Sequence, residues 1–361
     1  MLTYHLRSSF TVTQKYKLLP EFKNHEQIVE LNDPASGLKG FIAIHSTVLG
    51  PATGGTRYWR YNSAQLAIKD ALRLSEAMSY KCALAGVPFG GGKAVIMAPK
   101  NQLKTPALLK KFAQSINALN GVFSTGEDIG IEEKDITLMK RHSPYINGGQ
   151  KSGSLGPWAA LGVFNALKAA LKTTNKTSSL KNRKIAIKGL GKVGGGLCKL
   201  IIEQGGQVIG SDINPKVIKN IKKRFPGITL VPPKIIHKQT VDVFSPCALN
   251  GDLNPKTILE LKCKIVCGGA NNQLAFENCG ELLRKKGILY IPDFVANAGG
   301  LINAVAERHN GHYDKQWVIK KVNHISATAN KIIAASRQSG LPTNVIAKKM
   351  AERIITKKPK I

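Results

Sequence analysis

The pattern of apolar and polar positions changes character near the middle of the chain, which predicts two domains with different organisation. Residues 27–46 alternate as strands do, and the Asn-Asp-Pro-Ala-Ser-Gly segment at 32–37 predicts a turn between two of them. A polar cap at Asn62 or Ser63 then precedes apolar residues three and four positions apart, which predicts a helix ending near Lys81. The chain is therefore expected to begin with a hairpin and a long amphipathic helix.

Three shorter elements complete the first half of the chain. The glycines at 90–92 predict a turn, and the apolar residues 94–97 after them predict a short strand. Pro106, preceded by a threonine, is typical of the first position of a helix, and the helical spacing continues to Leu119. Residues 121–124 predict a strand that delivers a Thr-Gly-Glu-Asp segment to its end.

The second half has the repeating pattern of a parallel α/β domain. It follows a Gly- and Ser-rich segment at 147–156, the predicted domain boundary, and a helix predicted at 157–171. Five short apolar runs then alternate with helical spacing, at 185–187, 207–210, 241–245, 264–266 and 288–291. This alternation predicts βαβ units on a parallel sheet, and the end of the chain predicts two helices separated at 340–342.

Size and composition agree with a folded two-domain protein. The chain has 361 residues, of which 43% are hydrophobic, so both domains can bury a core and disorder is excluded. No apolar run reaches the roughly 18 to 20 residues that a membrane span needs, so we expect no membrane association. The first twenty residues contain no acid and resemble a transit peptide weakly; a short terminal segment is the simpler interpretation.

Cysteine usage indicates the cellular compartment, and the net charge indicates which ligands the protein attracts. The six cysteines form no C-x-x-C pair and have no metal-ligand spacing, which predicts no metal and free thiols in a reducing compartment, the cytoplasm. The 53 Lys and Arg against 22 Asp and Glu give a formal charge of +31, which attracts phosphates, carboxylates and nucleic acid without specificity. The basic residues are spread over the whole chain, so a specific nucleic-acid site is not expected.

The segment Gly189 to Gly194 has the G-x-G-x-x-G spacing of a dinucleotide-binding loop in the context that this spacing requires. It follows a predicted strand and opens a predicted helix, and Asp212 ends the next strand about 20 residues later. Gly189 would make the tight turn, Gly191 would let the backbone meet a pyrophosphate, and Gly194 would allow close helix packing. The Asp212 carboxylate would accept from a ribose 2′-hydroxyl, which favours NAD over NADP. Leu190, Lys192 and Val193 complete the predicted cofactor loop.

Two lysines and one aspartate form the candidate reaction centre. Lys81 lies at a predicted helix end, and Lys93 follows the three glycines. One ammonium can hold a substrate carboxylate, and a lysine beside a second cation in a partly dry cleft can act as a base near neutral pH. Asp128 could orient that lysine or pass a proton. The spacing alone also fits two solvated surface lysines.

Several longer motifs resemble the superfamily of Glu, Leu, Phe and Val dehydrogenases, closest to the leucine, phenylalanine and valine branch. The similarity extends from about Glu26 to Arg353 with matched spacing. The motifs are Leu38-Lys39-Gly40-Phe41-Ile42-Ala43-Ile44-His45-Ser46, Leu49-Gly50-Pro51-Ala52-Thr53-Gly54-Gly55-Thr56-Arg57, Met78-Ser79-Tyr80-Lys81, Gly90-Gly91-Gly92-Lys93, Gly268-Gly269-Ala270-Asn271-Asn272-Gln273 and Asn297-Ala298-Gly299-Gly300.

The resemblance implies roles for individual residues. It implies that Lys81 binds the substrate carboxylate, that Lys93 is the catalytic base and that Asp128 is its proton partner. The remaining implied residues are Gly54, Gly55, Met78 and Asn271 toward the substrate, and Asn272 and Asn297 toward the cofactor.

The resemblance also implies the architecture. An N-terminal α/β catalytic and oligomerisation domain, 1–148 with the returning segment 325–361, accompanies a Rossmann NAD-binding domain at 149–324. The active-site cleft is expected between them. The implied assembly is a homo-oligomer built from dimers, an octamer being one form.

Substrate choice departs from the leucine pattern. Gly126 before Glu-Asp and Leu301 after Ala-Gly-Gly are the pair that phenylalanine dehydrogenases tend to carry, and Ala304 follows on the same wall. Glu127 and the Tyr58-Trp59 pair are more typical of the leucine branch. We therefore expect a broad apolar site that accepts aromatic side chains.

The expected activity is NAD-dependent, reversible oxidative deamination of an apolar L-amino acid to a 2-oxo acid and ammonia. Action on another amino acid, such as tryptophan or glutamate, is the alternative within the same fold. A non-catalytic protein that retains the fold and binds nucleic acid or an acidic partner is the alternative from another class.

Overall fold

The structure is a computed structural model that describes residues 14–99, 104–148, 153–248 and 251–357. It divides into two compact units. The first contains the described residues up to Ala83, those from Val87 to Gly153 and those from Ile354; the second contains Leu84–Gly86 and Ser154–Arg353. Most of the predicted N-terminal leader lies outside the described residues, as does part of the predicted boundary segment.

The first unit contains a five-stranded sheet with helices on both faces. Its elements are α1 (Gln14–Lys17), β1 (Gln27–Asp33), β2 (Leu38–Ser46), β3 (Ala52–Trp59), α2 (Ala64–Ala85), β4 (Gly90–Met97), α3 (Pro106–Ala118), β5 (Phe123–Gly126) and α4 (Glu133–Lys140). The strand order is β1-β2-β4-β3-β5, with β3 parallel to both β4 and β5. One face packs on α3 and α4 through residues such as Phe112 and Ile136, and the other on α2 through Ile68 and Leu72.

The three glycines at 90–92 lie inside strand β4, so the predicted turn there is wrong. A Cβ at Gly91 would overlap the backbone nitrogen and hydroxyl of Ser79 on α2, and a Cβ at Gly92 would lie 2.6 Å from the Phe123 ring. These glycines therefore let a helix and a neighbouring side chain pack directly on the strand backbone. The strand begins four residues earlier than predicted as a result.

The second unit is a parallel six-stranded sheet with helices between its strands. Its elements are α5 (Leu155–Asn175), β6 (Lys184–Lys188), α6 (Lys192–Glu203), β7 (Gln207–Ser211), α7 (Pro215–Arg224), β8 (Thr229–Leu230), a 3₁₀ turn (Ile236–Lys238), β9 (Val243–Pro246), α8 (Pro255–Glu260), β10 (Ile265–Val266), α9 (Cys279–Lys285), β11 (Leu289–Tyr290), α10 (Asp293–Ala296), α11 (Gly299–Asn310), α12 (Lys315–Ser339) and α13 (Thr343–Lys357).

The strand order β11-β10-β9-β6-β7-β8 is that of a dinucleotide-binding Rossmann sheet. The strand order reverses between β6 and β9, because β7 lies on one side of β6 and β9 on the other. Ligands of such sheets bind at the carboxyl ends of the strands at that point. The prediction of an α/β fold with a Rossmann domain is confirmed.

The C-terminal boundary differs from the prediction, because residues 325–353 belong to the second unit rather than the first. Helix α12 packs along α5, burying Val322 and Ile325, and the Asn165 side chain donates to the Val322 carbonyl oxygen at 3.2 Å. Among the described residues, no helix has the length and hydropathy needed to cross a membrane.

Candidate active site

The glycine loop after β6 has the geometry that a dinucleotide-binding turn needs. Gly189 adopts φ +91°, and its N–H donates to the Ser211 carbonyl oxygen at 2.7 Å, which ties the loop to the end of β7. A Cβ at Gly194 would overlap the Gly189 carbonyl oxygen, so the first turn of α6 packs directly on the loop. By contrast, a Cβ built on Gly191 would meet no atom of the described residues within 4 Å, apart from those of its chain neighbours. Gly191 is the N-cap of α6, where helical N–H groups and the helix dipole favour an anion.

Asp212 lies at the end of β7 beside this loop. Its carboxylate accepts from the Leu190 N–H at 2.7 Å and from the Asn214 N–H at 2.8 Å. The aspartate therefore holds the glycine loop against the second strand. The backbone of Lys192 and Val193 opens α6 directly after the loop.

Gly269, after the end of β10, packs closely against residues of the glycine loop helix and of the segment after β9. A Cβ at Gly269 would lie 2.4–3.5 Å from Val193 and Cys247, and the Gly269 N–H donates to the Cys247 sulfur at 3.3 Å. Burial raises the pKa of the Cys247 thiol. Cys247 is not among the residues predicted from the sequence; its position at the end of a parallel strand was the available signal.

The predicted asparagines form one hydrogen-bonded group. The buried Asn297 side chain donates to the Asn271 side-chain oxygen at 2.8 Å and to the Gly269 carbonyl oxygen at 3.2 Å. Its own Oδ1 finds no hydrogen-bond partner in the part of the chain that the structure describes. Asn272 adopts a left-handed conformation with φ +52°, and its carbonyl oxygen accepts from the Gly251 N–H. The exposed Asn271 therefore lies next to Asn297, whose Oδ1 can still accept a hydrogen bond.

Leu301 and Ala304 lie three residues apart on α11, so they share one face of that helix, and both are half-buried. The helix begins close to α5 because Gly299 has no side chain: a Cβ there would overlap the Trp158 carbonyl oxygen.

In the first unit, the structure brings Lys93 and Asp128 into contact. Lys93 is on β4 with 6% of its surface exposed, and its Nζ lies 2.7 Å from Asp128 Oδ2. Asp128 follows the end of β5, two strands away. The parallel register pairs Thr56 with Ala94 and Gly55 with Gly126, which brings Lys93 in the middle of β4 level with the end of β5. Burial alone would raise the pKa of Asp128, but Lys93 and the guanidinium of Arg57 lower it to about 2. The two cations therefore favour the ionised form of the carboxylate.

Glycines on β3 and β5 make room beside this pair. A Cβ at Gly55 would lie 2.5 Å from the Glu127 carbonyl oxygen and 2.9 Å from Asp128 Cβ, so a side chain there would displace Asp128. Gly126 is paired with Gly55 across the two strands. A Cβ at Gly126 would lie 3.1 Å from the Asn147 carbonyl oxygen, a tight but not overlapping position.

Met78 and Lys81 lie on α2. A Cβ at Gly54 would overlap the Gly92 carbonyl oxygen and would lie 3.4 Å from Met78 Cγ. Lys81 is three residues after Met78 and so shares its helix face, and its side chain is half-buried. Gly54, Gly55, Gly126, Lys93 and Asp128 therefore lie together at neighbouring strands, with Met78 beside Gly54. Lys81 lies in the same unit, three residues after Met78 on α2.

Arg57 contributes a second cation to Asp128, although the sequence motifs did not identify it as a site residue. Its Nε lies 3.2 Å from Asp128 Oδ2, and its Nη1 lies 2.8 Å from Asp70 Oδ2. The available signal was strand alternation, since Arg57 is two residues after Gly55 and points to the same face of β3.

Comparison with known proteins gives matches over most of the chain. Residues 25–145 match the family model described as Glu/Leu/Phe/Val dehydrogenase, dimerisation domain, and residues 211–341 match that of Glutamate/Leucine/Phenylalanine/Valine dehydrogenase. The chain is similar to the leucine dehydrogenase of Geobacillus stearothermophilus, with 39% identity over 93% of this chain and 92% of the relative. It is similar to the phenylalanine dehydrogenase of Bacillus thermotolerans, with 39% identity over 96% and 92%.

A solved structure shows the same fold at similar identity. The crystal structure of L-tryptophan dehydrogenase from Nostoc punctiforme is 40% identical, covers 93% of this chain and 97% of its own, and gives a TM-score of 0.82. The family resemblance carried by the sequence motifs is thereby confirmed. The chain belongs to the Glu/Leu/Phe/Val dehydrogenase family and is an amino-acid dehydrogenase, an oxidoreductase acting on CH–NH₂ donors.

Proposed function

We propose that this protein catalyses the NAD-dependent, reversible oxidative deamination of apolar L-amino acids, aromatic ones included. The observation that carries the proposal is the contact between Lys93 and the ionised Asp128, beside strand positions that only glycine can occupy. A buried lysine in contact with a carboxylate can exchange protons with a reacting group, which the deamination of an amino acid requires.

Different residues of the first unit bind the substrate, transfer the proton and position the base. Lys81 binds the substrate carboxylate as a point charge. Lys93 removes a proton from the water that attacks the iminium carbon and returns it to the departing ammonia, and Asp128 holds the Lys93 ammonium in line between these steps. Gly54 and Gly55 let the substrate approach the strand backbone closely.

The glycine loop fits a dinucleotide, because the space above Gly191 is open and faces the N-terminus of α6. The pyrophosphate would be held by the N–H groups of residues 191–194, and the Asp212 side chain would take the ribose hydroxyls. NAD, when bound, supplies the hydride acceptor. A carboxylate at Asp212 disfavours the 2′-phosphate of NADP by charge repulsion, which is the reason for choosing NAD.

The side-chain pocket is proposed to be apolar and wide. Gly126 lies beside Gly55 and carries no side chain, so a ring gains the space of the missing methyl group there, whereas a glutamate side chain finds no cation at that position. Relatives described as leucine, phenylalanine and tryptophan dehydrogenases all match over more than nine-tenths of the chain, which supports a broad apolar class.

The test is NADH formation by the purified protein with leucine, valine, phenylalanine, tryptophan and glutamate, and with NADP in place of NAD as the control. Phenylalanine or tryptophan turned over faster than leucine supports both the reaction and the pocket. Leucine or valine preferred retains the reaction and contradicts the pocket assignment. Glutamate alone, or no turnover with either cofactor, refutes the proposal.

We also propose that the protein works as a homo-oligomer in the cytoplasm. One of the two matching family models is described as a dimerisation domain. All six cysteines are free thiols, as a reducing compartment requires. Light scattering of the purified chain that gave a monomer mass at micromolar concentration would contradict the oligomer.

A further inference from the structure

Arg57 connects the candidate catalytic pair to a second acid on another element. It lies on β3 with only 13% of its side chain exposed, and its guanidinium reaches Asp128 Oδ2 through Nε and Asp70 Oδ2 through Nη1. Asp70 lies on α2, which packs on the same face of the sheet. The planar guanidinium therefore bridges the helix and the loop after β5 with a fixed geometry.

Arg57 and Lys93 hold the same oxygen of Asp128. Lys93 Nζ lies 2.7 Å from Oδ2, and Arg57 Nε lies 3.2 Å from it. A carboxylate held by one cation can rotate about its side-chain bonds, whereas two cations on one oxygen restrict both its position and its orientation. The position of Lys93 relative to a substrate then depends on Arg57 through Asp128.

Arg57 is itself held from the other side. Asp70 accepts from the Tyr61 hydroxyl at 2.7 Å and from Arg73 at 2.9 Å, besides Arg57. Burial alone would raise the pKa of Asp70, but Arg57, Tyr61 and Arg73 lower it. Charges therefore alternate along one chain of contacts: Lys93, Asp128, Arg57, Asp70 and Arg73.

We propose that Arg57 is a positioning residue for the deamination reaction, which acts through Asp128 to orient Lys93 and keep the Lys93–Asp128 pair from binding an extra proton. The inference rests on the proposed function. Stability alone is a poor reason for such an arrangement, because a largely buried ion network repays its desolvation only with close to ideal geometry. Arg57, three residues before the exposed Arg60, offers a matched pair of arginines for the test.

The experiment compares wild type with Arg57→Gln, Arg57→Lys and the control Arg60→Gln, using steady-state kinetics with the best amino acid across pH. For Arg57→Gln we expect kcat/KM to fall on the order of 100-fold, because a small misplacement of a reacting group has that effect. Loss of a positive charge beside the pair also favours its protonated form, so the acidic limb of the kcat/KM profile should move up by about 1 pH unit.

Arg57→Lys separates charge from geometry. It retains the positive charge, so the acidic limb should stay near that of wild type, but it cannot hold Asp70 and Asp128 together, so kcat should remain low. Arg60→Gln should match wild type in both measurements. An unshifted limb in Arg57→Gln with kcat/KM close to that of Arg60→Gln would overturn the proposal, and a loss of activity equal at every pH would assign Arg57 a structural role only.

A second measurement does not depend on turnover. The carboxyl ¹³C resonance of Asp128, assigned by its disappearance in Asp128→Asn, reports the ionisation of that group directly. Its titration midpoint should be higher in Arg57→Gln than in wild type and unchanged in Arg60→Gln. If wild type turns over no amino acid, the proposed function fails, while this titration still decides whether Arg57 controls Asp128; an equal midpoint in all three proteins would refute that control.

Discussion

Two glycines of one loop are expected to respond in opposite ways to the same added methyl group. Gly191→Ala places a Cβ where no atom of the described residues lies within 4 Å, at a residue with φ −67° that carries no left-handed strain. Gly194→Ala places a Cβ that overlaps the Gly189 carbonyl oxygen, 3.0 Å from the carbonyl carbon and 3.2 Å from Cys247 Cβ. The first substitution should therefore affect the ligand, and the second should affect the fold.

The magnitudes follow from these contacts. For Gly194→Ala, α6 and the loop must separate by about 1 Å, and overpacking of that kind lowers the free energy of unfolding by about 1–3 kcal/mol. For a unit of this size, each kcal/mol corresponds to roughly 2–4 °C in Tm. For Gly191→Ala, the lower entropy of the unfolded chain, worth roughly 0.4–1 kcal/mol, offsets the weaker N-cap, so Tm should change by no more than a few degrees.

Gly191→Ala, which should change Tm little, should weaken cofactor binding strongly. A methyl group at Gly191 fills the space through which a pyrophosphate would meet the backbone, and we expect NADH affinity to fall roughly 10- to 100-fold, equivalent to about 1.4–2.7 kcal/mol. The assay is a fluorescence titration with NADH, paired with calorimetry on the same samples. Gly227→Ala is the control, because its Cβ would also meet no atom within 4 Å and it lies outside the loop. Unchanged NADH affinity in Gly191→Ala would refute the assignment of the pyrophosphate to this loop, and a fall in Tm equal to that of Gly194→Ala would refute the packing argument.

Three further predictions concern the first unit. Lys93→Ala should reduce turnover by more than about 100-fold while NADH binding is retained, since proton transfer contributes at least that factor; steady-state rates and the same titration check it, and rates near those of wild type would refute the role of Lys93. Burial beside His45 lowers the pKa of His25 to about 4, so the unfolded chain takes up a proton first and stability falls as pH drops from 6.5 toward 4. Denaturation curves over that range should lose about 2–3 kcal/mol in wild type and clearly less in His25→Gln, and equal slopes would contradict the assignment. Gly126→Ala, whose Cβ would lie 3.1 Å from the Asn147 carbonyl oxygen, should lower kcat/KM for phenylalanine relative to leucine by roughly 10- to 200-fold, and an unchanged ratio would remove Gly126 from the pocket wall.

The second unit was largely predictable from the sequence because its signals are local. The strand before the glycine loop, the loop itself and Asp212 lie within one βαβ unit of about thirty residues, and the structure places them in contact through the Leu190 N–H. The fold of such a unit follows from hydrophobic period and turn chemistry, which are both readable over short windows. The family resemblance placed 325–361 with the first domain, whereas 325–353 group with the second unit and the residues from Ile354 with the first. Helical period could not have decided this, because it shows which face of a helix is apolar but not which domain covers that face.

The reaction centre of the first unit was predictable only as a set of residue types. Lys93 and Asp128 come from β4 and the loop after β5, and Arg57 and Asp70 from β3 and α2, so their contacts depend on strand order. The spatial order β4-β3-β5 does not follow from secondary-structure propensity, because it differs from the order of these strands along the chain. The contact between Arg57 and Asp128 could therefore not be predicted from the sequence. Strand alternation shows only that Arg57 and Gly55 point to the same face of β3.

The glycines show why the residue type alone did not determine the structure. Position 189 requires glycine because its backbone angle φ is +91°. Positions 91 and 92 require glycine because Ser79 and Phe123 pack directly on a regular strand. At position 191, no described atom would clash with a side chain. The first requirement is local and is the one that a sequence pattern detects, so the glycines at 90–92 were assigned to a turn by the same rule that succeeded at Gly189. The second arises only when the sheet and helix assemble. The third does not by itself indicate a ligand, because glycine also suits the N-cap of α6; only a loss of NADH affinity in Gly191→Ala would assign the open space to a cofactor.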